Sequence, residues 1–173
     1  MRMHRFLISS TTALLLSVCS LLAVEPKPPG MVSGEIAIGS SPDFLEAWRR
    51  PPAKGQPPAV PLAREFAIGE TAYIGFIVTG LLPNAASQAS VTVDFKLIKP
   101  DGTVMLDEKE WAGVSGPVSK EPAFYLAEPA LDIIFEPGDP VGRYSLVVIY
   151  HDLVSKKAAL FEVKLDVLEK RPN

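Results

Sequence analysis

The stretch Gly142-Arg143-Tyr144-Ser145-Leu146-Val147-Val148-Ile149-Tyr150 decides the fold. Tyr144, Leu146, Val148 and Tyr150 fall on one side of an extended chain, and Ser145, Val147 and Ile149 on the other. Successive side chains of a strand point to opposite faces, so this period of two, carried by β-branched and aromatic residues, predicts a strand over Arg143–Tyr150. The corner Pro137-Gly138-Asp139-Pro140 stands in front of it. Proline presets φ, aspartate bonds its own backbone and glycine tolerates positive φ, so the chain turns there.

The same period extends outward in both directions. After a turn at 151–157, the last strand directs Phe161, Val163, Leu165 and Val167 inward and Leu160, Glu162, Lys164 and Asp166 outward. Before the corner, Leu131, Ile133 and Phe135 alternate with Asp132, Ile134 and Glu136. In Val91–Ile98, Val91, Val93, Phe95 and Leu97 oppose Thr92, Asp94 and Lys96, the pattern of a strand with one wet face. The turn Lys99-Pro100-Asp101-Gly102 joins it to a hairpin partner at Thr103–Leu106. Thr71–Thr79 is apolar on both sides, as expected of a strand covered on two faces. Residues 112–122, rich in Gly, Pro and Ser, read as a loop. With Glu35–Ile38 included, about seven strands and no long helix predict an all-β fold, an antiparallel two-sheet sandwich.

The N-terminal third differs in composition. Met1–Arg5 carries Arg2 and Arg5 and no acid, Phe6–Leu22 is uncharged, and Ala23 is a small residue before polarity resumes. These are the three parts of a secretory signal peptide, assigned to residues 1–23. The apolar run of about 17 residues is at the short limit for a membrane span. Residues 24–61 form a Pro-rich lead-in holding the short strand and a short helix, residues 62–169 the sandwich, and residues 170–173 a tail. Ser41-Pro42-Asp43 resembles a helix start, and Asp43 with Glu46 fits a capping box. Phe44 and Trp48, four apart, share a helix face, and Pro51-Pro52 ends the helix. Residues 51–61 then read as an extended connector.

Gly142-Arg143-Tyr144-Ser145-Leu146 resembles the start of strand F in immunoglobulin-like domains, where a tyrosine bonds back to the preceding corner. The resemblance implies that Tyr144 is that tyrosine. It puts Leu146 at the inter-sheet cysteine position, Ile74 or Phe76 opposite it, and Phe95 in place of the usual tryptophan. These departures exclude an antibody-type domain and fit cysteine-free bacterial and fibronectin III-like relatives. The chain also resembles a loose group of uncharacterised exported bacterial proteins over residues 35–168. That likeness rests on Ser41–Trp48, Lys99–Gly102 and Glu136–Tyr144, and it implies no activity.

No set of residues reads as catalytic. His151-Asp152 pairs a histidine with an acid but, at the end of a strand, reads as a polar turn. Past residue 23 the chain has one histidine and no cysteine, so neither a zinc nor a copper site is expected. Asp101-Gly102 and Gly138-Asp139 lack the acid spacing of a calcium loop. No cofactor is expected. The chain's formal charge is −3, and cleavage after Ala23 makes it more acidic, which gives it no electrostatic reason to bind nucleic acid.

The expected function is a non-catalytic, periplasmic or secreted binding module whose partner is another envelope or secreted protein. Candidate contact residues are Phe44, Trp48 and Trp111. For the first two, the competing reading is a helix folded back over its own sandwich, covering Val147 and Ile149. For Trp111, which follows the charged run Asp107-Glu108-Lys109-Glu110, it is a solvated edge strand. The alternative function is a lipid-anchored assembly factor. Leu16-Ser17-Val18-Cys19 resembles a lipoprotein processing box, although Val18 is β-branched and the residues after Cys19 are apolar. Membrane contact is expected only if Cys19 is lipidated or the leader stays uncleaved.

Overall fold

The alternation around Tyr144 yields a strand buried in the middle of a sheet. The computed structural model describes residues 26–50, 58 and 61–171. In chain order its elements are β1 (Ser33–Gly39), α1 (Asp43–Arg49), β2 (Glu65–Ala67), β3 (Thr71–Thr79), β4 (Gln88–Ile98), β5 (Val104–Pro117), β6 (Phe124–Ile134), β7 (Gly142–Asp152) and β8 (Lys157–Leu168).

The strands run in the order β1-β3-β6-β5-β4-β7-β8-β2. Between β6 and β5 the ladder holds by a single bridge, Gly113 opposite Glu128. There it folds over, so that the three-stranded β1-β3-β6 sheet faces the five-stranded β5-β4-β7-β8-β2 sheet. Every pairing is antiparallel except β2 with β8. The chain crosses between the sheets after β1, and β2 joins the far edge of the second. This is an immunoglobulin-like antiparallel sandwich.

Its core lies between the sheets. Tyr144, Leu146, Val148 and Tyr150 are each 0% exposed. Phe76 and Phe95 stack across the layer with ring centroids 5.9 Å apart. The Tyr144 hydroxyl donates to the Pro140 carbonyl at 2.8 Å, the corner bond that the resemblance implies. Leu146 fills the cysteine position with apolar packing, and β7 keeps continuous register with both β4 and β8.

Several expectations are corrected. Among the described residues there are eight strands rather than about seven, because Glu65–Ala67 forms a short strand that pairs with β8. Part of the loop expected at 112–122 is strand: β5 runs to Pro117, and Ala112–Pro117 pair with Gln88–Val93. β6 begins at Phe124, well before Leu131. His151 and Asp152 do not form a turn; both end β7 and pair with β4. The capping box is not made: α1 has no side-chain cap, and Glu46 pairs with Arg49. The lead-in is tied down from Lys27, whose amide donates to Thr79 Oγ1 at 2.9 Å, while the Gly30 amide donates to the Gly80 carbonyl at 2.9 Å. The leader, Cys19 and nearly all of the 51–61 connector lie outside the described residues.

Candidate interaction surface

Helix α1 packs on the outer face of the three-stranded sheet. Phe44, Leu45 and Trp48 are buried with Ala37, Ile77 and Phe124, and Tyr73, Leu126 and Ala130 pack against them. Trp48 meets Phe124 edge-on, with centroids 6.0 Å apart. This explains why β3 is apolar on both sides. Phe44 and Trp48 are therefore spent on the chain's own fold and present little surface to a partner.

The helix does not cover Val147 and Ile149, as the sequence suggested; it sits on the opposite sheet. The outer face of the five-stranded sheet has no covering element among the described residues. Val147 and Ile149 are half-buried there, and Ile149 lies opposite Leu160 of β8, which is 64% exposed. A shallow recess of about 190 Å³ is lined by Asp94, Phe95, Lys96, Lys109, Val147 and Ile149. The face is thus an apolar strip bordered by charges, with Lys96 and Lys109 on one side and Glu162 and Lys164 on the other.

Asp94 organises the recess. Val93 pairs with Ala112 and Phe95 with Glu108, so Lys109–Trp111 bulge opposite Asp94 alone. Glu110, at φ +50°, turns its amide onto Asp94 Oδ1 at 2.9 Å. Oδ2 receives Lys109 Nζ at 3.2 Å and contacts His151 Nε2 at 3.1 Å. Burial pushes the Asp94 carboxyl up, but the Glu110 amide, Lys109 and His151 outweigh it and hold it below the usual carboxylate range. Both carboxylate oxygens are thus engaged in pinning three strands together. The histidine's carboxylate partner is Asp94 rather than its neighbour Asp152. Asp152 is buried and accepts from the Val154 and Ser155 amides at 2.9 and 3.1 Å and from the Leu82 amide at 3.3 Å.

Trp111 sits at the β5 edge, 37% exposed, with its ring edge-on to Phe95 at 5.7 Å. Of the three candidate aromatics it alone keeps substantial surface. Lys96 pairs with Asp107 at 2.8 Å, so the charged run 107–110 lies along an edge strand. Sequence reasoning missed Asp94 as a hub; it set Leu160 on the outward face, where the structure leaves it exposed, without singling it out.

The remaining candidates resolve into local structure. Asp101 Oδ1 accepts from the Thr103 amide at 2.9 Å and its hydroxyl at 2.6 Å, and Asp139 Oδ2 from the Glu136 amide at 2.9 Å; both aspartates close turns. Among the described residues no three His, Cys, Asp or Glu side chains are grouped to hold a metal ion. A second recess of about 390 Å³ lies between α1 and β6, where Arg49 donates to Glu128 at 2.9 Å and also pairs with Glu46.

No family model matches the chain, and no curated protein matches it. Solved structures do. One is a family 123 glycoside hydrolase from Clostridium perfringens, at 12% identity and TM-score 0.38, matched over 80% of this chain. This chain spans 28% of that hydrolase's length. Another is an immunoglobulin-like protein from Pseudomonas aeruginosa, at 13% identity and TM-score 0.30, matched over 85% of this chain and 99% of that one.

Proposed function

We propose that this chain is a non-catalytic binding module of the cell envelope or its exterior, and that it holds another exported protein against the outer face of its five-stranded sheet. One observation carries the reading: the chain's only described helix is committed to the other sheet, so that no described element covers Val147 and Ile149. An apolar strip with a charged rim has the composition of a protein contact, where a desolvated centre supplies affinity and the rim supplies orientation. Asp94 supports the reading as well. Its bonds hold the rim lysine Lys109 and the bulge in place, and a rigid surface loses less entropy on binding.

A photo-crosslinking residue placed at Val147 in the native cell is expected to trap one defined protein. Ile149→Lys, which sets in the strip a charge that faces Asp94 across the strands, is expected to abolish that adduct while leaving the circular-dichroism spectrum unchanged. An adduct that survives Ile149→Lys, or no adduct at all, overturns the proposal.

A further inference from the structure

The strands that border the two sheets are β1, β6, β5, and β8 with β2. An unpaired border strand is a template for another strand, and chains usually blunt it. Three of these borders are blunted by the chain itself. On β1 the Ile38 carbonyl is taken by the Ala63 amide at 2.7 Å and the Ile36 carbonyl by Arg64 Nη2 at 3.4 Å. β6 carries Pro129, which has no amide proton to offer. β5 carries the charged run and the bulge at Lys109–Trp111.

Between Ala158 and Lys164, β8 has no proline, no bulge and no backbone carbonyl taken by another segment among the described residues, and its charges are limited to Glu162 and Lys164. Its register with β7 is unbroken and it contains no proline. The Asp166 amide donates to the Arg64 carbonyl at 2.8 Å and the Leu168 carbonyl accepts from the Ile68 amide at 2.9 Å, so even-numbered residues turn their backbone away from β7. By the alternation of a strand, Ala158, Leu160, Glu162 and Lys164 do the same. Among the described residues, no hydrogen bond reaches those backbone groups. Phe161 and Val163 are only half-buried beside this border, and Leu160 is the most exposed large apolar side chain described, at 64%.

We propose that two copies of this chain pair antiparallel through β8 about a two-fold axis at Phe161, joining their five-stranded sheets into one. The free stretch is bounded by β2, which pairs from Asp166 onward, and by the turn before Lys157. Phe161 is its midpoint, so pairing centred there uses the whole stretch and leaves β2 in place. In this register Phe161 faces its twin, Ala159 faces Val163, Leu160 faces Glu162 and Ala158 faces Lys164. No like charges meet. A register centred on Glu162 sets two glutamates face to face and runs into β2; one centred on Leu160 or Ala159 pairs fewer residues of the free stretch. The register that uses the whole free stretch brings no like charges together, and its two-fold symmetry is that of an isologous dimer.

The absence of cysteine after residue 23 makes the register readable. In a Cys19→Ala background, Phe161→Cys is expected to oxidise to a disulfide dimer. The paired odd-numbered positions are non-hydrogen-bonded, with Cα atoms roughly 4.5 Å apart, within disulfide reach. Val163→Cys alone is expected not to oxidise, whereas Ala159→Cys combined with Val163→Cys is. By sedimentation equilibrium, Leu160→Glu is expected to weaken the dimer about tenfold by facing Glu162, and Leu160→Lys is expected not to weaken it. Ile149→Lys, which tests the outer-face contact, is expected to leave sedimentation unchanged. A chain that stays monomeric at its highest soluble concentration overturns the proposal, as does Val163→Cys cross-linking as readily as Phe161→Cys.

Discussion

Asp94 shows how much one outward-facing residue does in a thin sandwich. Its carboxylate gathers partners 15 and 57 positions away in sequence and closes the bulge that sets the shape of the recess. Asp94→Ala is expected to cost about 1–3 kcal/mol at neutral pH, because a bulge amide and a histidine lose their partner. The folded-state carboxyl is held below its ordinary value, so its contribution is complete above roughly pH 4 and is lost as pH falls through the lowered folded value. The gap in urea-unfolding free energy between the wild type and Asp94→Ala is therefore expected to be constant from neutral pH to about pH 5 and to close below pH 4. A gap that persists unchanged to pH 2 contradicts the role given to the charge. The sequence showed Asp94 only as one polar residue in an alternating strand. Tyr144 was legible because the carbonyl it bonds lies four residues upstream.

At the scale of elements, α1 is short and uncapped, and its position rests on packing. Its close approach needs Gly39: a Cβ there would lie 2.6 Å from Phe44 Cδ1. Trp48 contributes area rather than hydrogen bonding, since its buried Nε1 has no partner among the described residues. Trp48→Ala is expected to cost about 3–5 kcal/mol in denaturant unfolding, and Trp48→Phe less than about 1.5 kcal/mol. If both cost the same, the helix is not held by ring burial. The helix was visible in the sequence from Phe44 and Trp48 at helical spacing, but the sheet it covers was not. Two outer faces, Tyr73–Ile77 and Val147–Ile149, both looked in need of a cover. β2 escaped notice because three residues carry no readable period, and the last part of β5 because its glycines resemble a loop.

At the scale of the molecule, stability comes from burial without a sulfur bridge between the sheets. Leu146 stands where related sandwiches place a cysteine and is fully buried in the core cluster that also holds Phe76 and Phe95. Leu146→Ala is expected to cost about 2–5 kcal/mol by thermal or chemical unfolding, as a cavity in a close-packed layer. A cost below about 1 kcal/mol would mean that the layer is loosely packed at this point. The antiparallel sandwich was legible because alternation in β4, β7 and β8 is written residue by residue, so that each declares its buried face locally, and the immunoglobulin-like class through the resemblance carried by Gly142–Leu146.

The sequence by itself determined the buried faces of β4, β7 and β8, the turns at Lys99–Gly102 and Pro137–Pro140, and that no cysteine past residue 23 ties the sheets. Those properties depend on neighbours a few positions apart. Tertiary structure alone decided that α1 lies over β1-β3-β6, that Asp94 meets His151, and that among the described residues no strand pairs with β8 between Ala158 and Lys164. Each of these depends on which strands become neighbours across a sheet, and that pairing is set by contacts between residues distant in sequence.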